Sequence, residues 1–213
     1  MSYNKKQIAV LVSGNGSNLQ AIIDAIKSNQ LKNTEVAIVI SNKPNAYALH
    51  RAQTEGIKNV FINPSEFNTI QDFDKKIIDV LKTHNIDLIV LAGYTKILSS
   101  ELINAFNNKI INIHPSLLPL FGGKGMYGQK VHEAVLKSGV KETGCTVHFV
   151  TQEVDAGPII LQKKIPVLSS DTIETLSKKV LGEEHSLLIE GINLALFENL
   201  PIKKAENYLQ NTI

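Results

Sequence analysis

The chain has 213 residues, with 22 Lys and Arg against 20 Asp and Glu, and 43% of it is hydrophobic. That size and balance suit a folded domain with a sizeable core, while a formal charge of +2 supplies no overall field to hold nucleic acid. The longest apolar runs are too short for a membrane span, and Gly14 and Gly16 end the first of them too early for a signal peptide, so a soluble cytoplasmic protein is expected.

In chain order, "QIAVLV" (7–12) is a β-branched run of strand length, followed by the glycine loop "SGNGSNLQAI" (13–22) and a helix with Leu19, Ile22, Ile23 and Ile26 on one face. The unit recurs. Strands at 36–40, 59–62 and 87–92 precede helices near 46–54, 70–84 and 99–106, and "KIINI" (109–113) is a fifth strand. Five apolar strands alternating with helices predict a Rossmann-like α/β fold, with a mostly parallel twisted sheet covered by helices on both faces. Beyond residue 128 the rhythm changes to a helix at 129–139, a strand at 144–151, turn chemistry in "EVDAGP" (153–158) and a strand at 159–167, a mixed extension of the sheet. A long helix over 171–197, capped by Asp171 or Ser170, closes the fold, and the segment beyond Pro201 reads as a loosely held end. Cys145 is the only cysteine, so no intrachain disulfide forms, and its setting in "CTVHFV" reads as core.

In the glycine loop, Gly14 and Gly16 permit a tight turn or close ligand approach, and the amides of Gly16, Ser17 and Asn18 face out of the helix start as a place for an anion. The "SN" pair caps the helix with or without a ligand. No P-loop lysine, no third glycine and no acid after the second strand ("VISN", 39–42) are present, which favours a phosphomonoester over a dinucleotide and makes a nicotinamide-dependent reductase the weaker reading. A turn with no ligand is the alternative.

"INIHPSLLP" (111–119) places Asn112 and His114 on the same side of a strand at its carboxyl end, where ligands of such sheets bind. With a carboxylate from Asp155 or Glu153, the imidazole and amide suit addition to a carbonyl, both donating to the oxygen that becomes charged. Equally, Asn112 can satisfy backbone groups while His114 fills a turn before Pro115 and Pro119. The separated histidines form no metal-ligand set, so no metal is expected; Ser116 lacks the nucleophile-elbow pattern, and His132 and His148 read as structural.

The segments "SGNGSNLQAI", "LAGYTKIL", "INIHPSLLP" and "TVHFVTQEVDAGPII" together closely resemble the phosphoribosylglycinamide formyltransferases of purine synthesis, over roughly residues 7–198. The resemblance implies a single domain over 1–213, with a phosphate-binding half at 1–110 and a catalytic and folate-binding half at 111–200. It implies 10-formyltetrahydrofolate as cosubstrate, small-molecule partners and a monomer or weak homodimer, with no nucleic acid or membrane. It further implies that Gly16, Ser17 and Asn18 hold the substrate phosphate and that Asn112, His114 and Asp155 are the catalytic trio. Glu184 would contact the ribose, with Glu183 the competing choice and a solvated helix face the bland reading. Leu91, Ala92, Gly93, Tyr94, Leu98, Thr151, Val154 and Asp155 would line the folate pocket. The sequence departs from the family in "FGGKGMYG" (121–128), in Thr95 and Lys96, and in Ile70, positions that bear on recognition of the folate tail. A non-catalytic phosphometabolite-binding module and a formyltransferase for another amine remain as alternatives.

Overall fold

The computed structural model describes residues 5–198, so the segment beyond Pro201 lies outside the described residues. The chain divides after Ile111 into two compact units. In chain order its elements are β1 (Lys6–Val12), α1 (Ser17–Lys27), β2 (Thr34–Ser41), α2 (Tyr47–Thr54), β3 (Asn59–Phe61), a 3₁₀ turn (Pro64–Glu66), α3 (Ile70–Lys82), β4 (Leu88–Leu91) and α4 (Ser100–Ala105), then β5 (Ile110–His114), α5 (Gln129–Ser138), β6 (Glu142–Phe149), β7 (Ile159–Pro166) and α6 (Ile173–Phe197). The sheet order is β3-β2-β1-β4-β5-β6-β7.

In the first unit β1 runs parallel to both β2 and β4, and β2 parallel to β3. Ile8 to Val12 are all fully buried, as expected of a central strand covered on both faces. Helix α3 turns Phe73, Ile77, Ile78 and Leu81 inward at helical spacing, and Thr69 caps it by accepting from the Asp72 N–H. Asp74, on the same helix, is buried and accepts from the Ser99 N–H at 2.5 Å, which ties α3 to the start of α4.

In the second unit β6 and β7 pair antiparallel, the mixed extension that the turn chemistry predicts. Their connection runs from Val150 to Pro158, longer than a tight turn. Helix α6 lies close on β6 at Gly191, where a Cβ would come within 2.7 Å of the Val147 side chain. The cap of α6 differs from the expected Asp171 or Ser170. Thr172 and Thr175 form a reciprocal capping box, whereas Asp171 accepts from Lys179 and from the Leu168 N–H. Thr172 wins because it sits where its hydroxyl meets the Thr175 amide, and Asp171 is one residue too early.

Candidate active site

The residues singled out by the sequence fall in both units. In the first, β1 ends at Val12 and α1 begins at Ser17, with Gly16 as its N-cap at φ 76 and no side-chain cap. The expected capping role of "SN" is therefore not taken up, because Ser17 and Asn18 already lie in the first turn. A Cβ on Gly16 would meet the Ala48 Cβ at 2.6 Å, so this position needs glycine both for its dihedral angle and for the approach of α2. The loop leaves the first-turn amides of Ser17 and Asn18 at a helix N-terminus, a favourable place for an anion.

Leu91 and Ala92 are buried at the end of β4, Gly93 turns the chain at φ 74, and Leu98 is buried. The Tyr94 hydroxyl is buried without a hydrogen-bond partner; burial and then the nearby charge of Asp74 push its pKa up. Thr95 donates its N–H to Ser13 Oγ at 2.9 Å, and Ser13 donates to Asn42 at 2.5 Å, joining the ends of β1, β2 and β4. Beside them lies a cleft of about 470 Å³ lined by Lys43, Phe61, Asn63, Thr95 and Lys96 among others.

In the second unit the "PSLLP" segment is held by β6 and β7. Thr146 donates to the Ser116 carbonyl at 2.6 Å and accepts from the Leu118 N–H, while Gln162 donates to the Leu118 carbonyl. This anchoring sends Phe121 back toward β5, and the His114 Nε2–H donates to the Phe121 carbonyl at 2.9 Å. His114 is buried, and its Nδ1 faces Asp155 Oδ2 at 3.6 Å. Of the two candidate carboxylates, Asp155 is the one that meets the imidazole; Glu153 is exposed. The Gly123 N–H donates to the same Asp155 oxygen at 2.9 Å.

The other Asp155 oxygen faces a second imidazole, His148 Nε2, at 3.7 Å. His148 Nδ1 lies 2.9 Å from the Phe149 carbonyl, which only accepts, so Nδ1 carries the proton. Burial pushes the His148 pKa down, outweighing the Phe149 carbonyl and Asp155, and keeps the ring neutral. Its bare Nε2 thus accepts from the Asn112 amide at 3.1 Å. Asn112 is hydrogen-bonded to His148, and Asp155 lies between the imidazoles of His148 and His114, with no hydrogen bond between its carboxylate and the bare His148 Nε2. The structure brings the expected trio together and sets His148, expected as structural, beside it. A signal existed: Thr146 and His148 are alternate polar positions in a strand buried from Thr143 to Phe149, and buried polar groups need partners.

Thr151 and Val154 are half-buried in the β6–β7 connection, where the Thr151 hydroxyl donates to the Glu153 carbonyl. Glu184 is only 7% exposed, so the solvated-face reading does not hold; it lies on the face of α6 toward β6, and after burial its charge is the next cause holding the Cys145 thiol up at about 12. Cys145 is fully buried, as expected of core. His132 is buried, and burial followed by the neighbouring His114 lowers its pKa. Among the described residues no cluster of three His, Cys, Asp or Glu is arranged to hold a metal ion, and no helix is long and apolar enough to cross a membrane.

The formyl transferase family profile matches residues 6–192. The chain is 40% identical to the chloroplastic phosphoribosylglycinamide formyltransferase of Arabidopsis thaliana, over 92% of this chain and 67% of that protein. It is 42% identical to the phosphoribosylglycinamide formyltransferase of Escherichia coli (strain K12), over 94% of this chain and 91% of that one. It spans only 18% of the trifunctional purine biosynthetic protein adenosine-3 of Bos taurus. Its fold matches the crystal structure of glycinamide ribonucleotide transformylase 1 from Symbiobacterium toebii with a TM-score of 0.84 at 42% identity, covering 90% of this chain and 87% of that one.

Proposed function

The chain belongs to the formyl transferase family, and from that premise we propose that it transfers the formyl group of 10-formyltetrahydrofolate to the amine of N1-(5-phospho-D-ribosyl)glycinamide, releasing the N-formyl product and tetrahydrofolate in de novo purine synthesis. The observation that carries this reading is the gathering of Asn112, His114 and Asp155, with Asp155 facing the His114 imidazole at 3.6 Å and Asn112 held by His148 beside it. The folate supplies the formyl carbon that the glycyl amine attacks, and the formyl oxygen gains negative charge as the amine adds. One N–H of the Asn112 amide is held by His148, and the other is assigned to that oxygen. His114 is the second donor. Its Nε2–H donates to the Phe121 carbonyl, and in this reading the substrate oxygen takes the place of that acceptor. Both donors act more strongly on the charged oxygen than on the planar carbonyl, so they favour the transition state over the ground state. Asp155 provides the counter-charge for His114 and relays a proton, through water, from the attacking amine to the departing folate nitrogen.

The amides of Gly16, Ser17 and Asn18 are assigned the substrate phosphate, and Glu184 the ribose hydroxyls. Leu91, Ala92, Gly93, Tyr94 and Leu98 in the first unit, and Thr151, Val154 and Asp155 in the second, are assigned the folate. The reading gives no role to a metal, nucleic acid or membrane, and places the protein in the cytoplasm as a monomer or weak homodimer; the near balance of 22 basic and 20 acidic residues supports small-molecule substrates. The test is an assay of the purified protein with both substrates, following the appearance of tetrahydrofolate and the N-formyl ribonucleotide. Protein that binds the ribonucleotide yet transfers no formyl group would overturn this reading in favour of a binding module.

A further inference from the structure

Helix α2 does more to the glycine loop than pack on it. The Ala48 N–H donates to the Gly14 carbonyl at 3.2 Å. One turn further along the same face, the Arg51 guanidinium reaches back with a fork: Nε donates to the Asn15 carbonyl at 2.9 Å and one terminal nitrogen to the Asn15 side chain at 3.0 Å. Its other terminal nitrogen donates to Gln20 on α1 at 3.0 Å, and the guanidinium carbon lies 4.9 Å from the centre of the Tyr47 ring. A planar, rigid donor set of this kind is what arginine offers and lysine does not.

In a trans peptide, the carbonyl of one residue and the N–H of the next point in opposite directions. Ala48 holds the Gly14 carbonyl, so the Asn15 N–H faces away from α2, and Arg51 holds the Asn15 carbonyl, so the Gly16 N–H does likewise. The Gly16 carbonyl accepts the first bond of α1, from the Gln20 N–H at 2.9 Å, and aims the Ser17 N–H out of the helix start. Three successive amides are thus turned outward because three successive carbonyls are held behind them. The middle carbonyl depends on one side chain.

We propose that Arg51 is a positioning residue for phosphate recognition: by fixing the Asn15 carbonyl it keeps the Gly16 N–H, the first of the three amides assigned to the phosphate, directed at the phosphate of the ribonucleotide. This rests on the reading that the loop binds that phosphate. The test compares wild type, Arg51→Ala and Arg51→Lys in steady-state kinetics, with inorganic phosphate as a competitor of the ribonucleotide. Loss of a charged hydrogen-bond anchor predicts about a tenfold rise both in KM for the ribonucleotide and in the inhibition constant of phosphate, with kcat and the KM for folate within about twofold of wild type. Arg51→Lys keeps the charge but not the fork and falls nearer to Arg51→Ala than to wild type. Phosphate that competes equally in wild type and both variants, or a parallel loss of kcat and thermal stability at unchanged KM, overturns the role of Arg51. Phosphate that fails to compete in wild type overturns the assignment of the loop and the proposal with it.

Discussion

Asp155 adopts φ 56, in the left-handed region that an ordinary L-residue enters at a cost of about 1–2 kcal/mol and that Asp and Asn enter most readily. Asp155→Asn therefore retains the backbone while removing the charge opposite His114 and the group assigned to proton relay. Turnover is expected to fall at least about a hundredfold, the scale seen when one transition-state electrostatic contact is lost. The thermal midpoint should stay within about 3 °C, which corresponds to less than roughly 1 kcal/mol for a chain of this size. Retained kcat would remove Asp155 from the reaction. His148 makes a graded companion to this test. It touches the reaction only through Asn112 and Asp155, so His148→Ala should lower kcat by about tenfold with a smaller effect on KM, short of the roughly hundredfold to thousandfold expected of Asn112→Ala. Equal losses in the two variants would mean that His148 does more than orient the amide. Asn112 and His114 were legible in the sequence because two same-side polar residues at a strand end, followed by prolines, form an unusual local pattern. His148 was not, since its partners lie 36 and 7 residues away and an alternating strand hides which face meets them. Nor was the Phe121 carbonyl, because backbone groups leave no mark in a sequence.

At the scale of elements, hydrophobic period located the strands and helices, since β1 is buried along its apolar run and α1 buries Leu19, Ile22 and Ile23, three of the residues that its period singles out. Terminal details escaped it. Asp171 and Thr172 are adjacent good capping residues, and only the position of Lys179 and the Thr175 amide decides between them. Glycine shows the same limit, because sequence marks each one alike while structure separates their roles. At Gly157, before β7, a Cβ would lie 1.8 Å from the Phe149 carbonyl oxygen, in the connection that holds Asp155. That carbonyl belongs to the backbone and already meets His148 Nδ1, so it has little room to shift. Gly157→Ala is expected to destabilise the fold by at least about 1–3 kcal/mol and to lower kcat by displacing Asp155 and His148. Gly182, inside α6, faces open space, and Gly182→Ala should instead stabilise by up to about 1 kcal/mol through helix propensity. Urea titrations of both variants measure the difference. Similar midpoints would show that the close contact at Gly157 is relieved at no cost.

For the molecule as a whole, the buried His132 and His148 and the half-buried His185 shape the response to acid. Burial is the leading cause lowering the pKa values of His132, His148 and His185, so each is held neutral in the folded state further into acid than in the unfolded chain, near 6.5. The unfolded state then binds more protons over that interval, and stability is fully present above about 6.5 and lost as the pH falls through the lowered folded values. For His148, buried and hydrogen-bonded as the neutral ring, the slope reaches up to about 1.4 kcal/mol per pH unit. Two carboxylates, Asp87 and Asp74, act in opposite senses. Burial raises Asp87, but the Gln7 N–H and Lys6 donating to it lower it further, so its contribution is present above 3.8 and lost below. Burial outweighs Ser99 at Asp74 and raises it, so that its contribution is present below 3.8 and fades as pH rises. The three histidines each lower stability as the pH falls from 7 to 5, and the unfolding free energy from urea titration should fall across that range. His132 isolates the cause outside the proposed chemistry: its buried Nδ1 has no hydrogen-bond partner, so His132→Leu removes a titrating group without leaving a donor unpaired. The variant is expected to lose less stability than wild type between pH 7 and 5, and to match or exceed it at pH 5. Parallel curves for the two proteins would show that His132 takes up its proton in the folded state as readily as in the unfolded one.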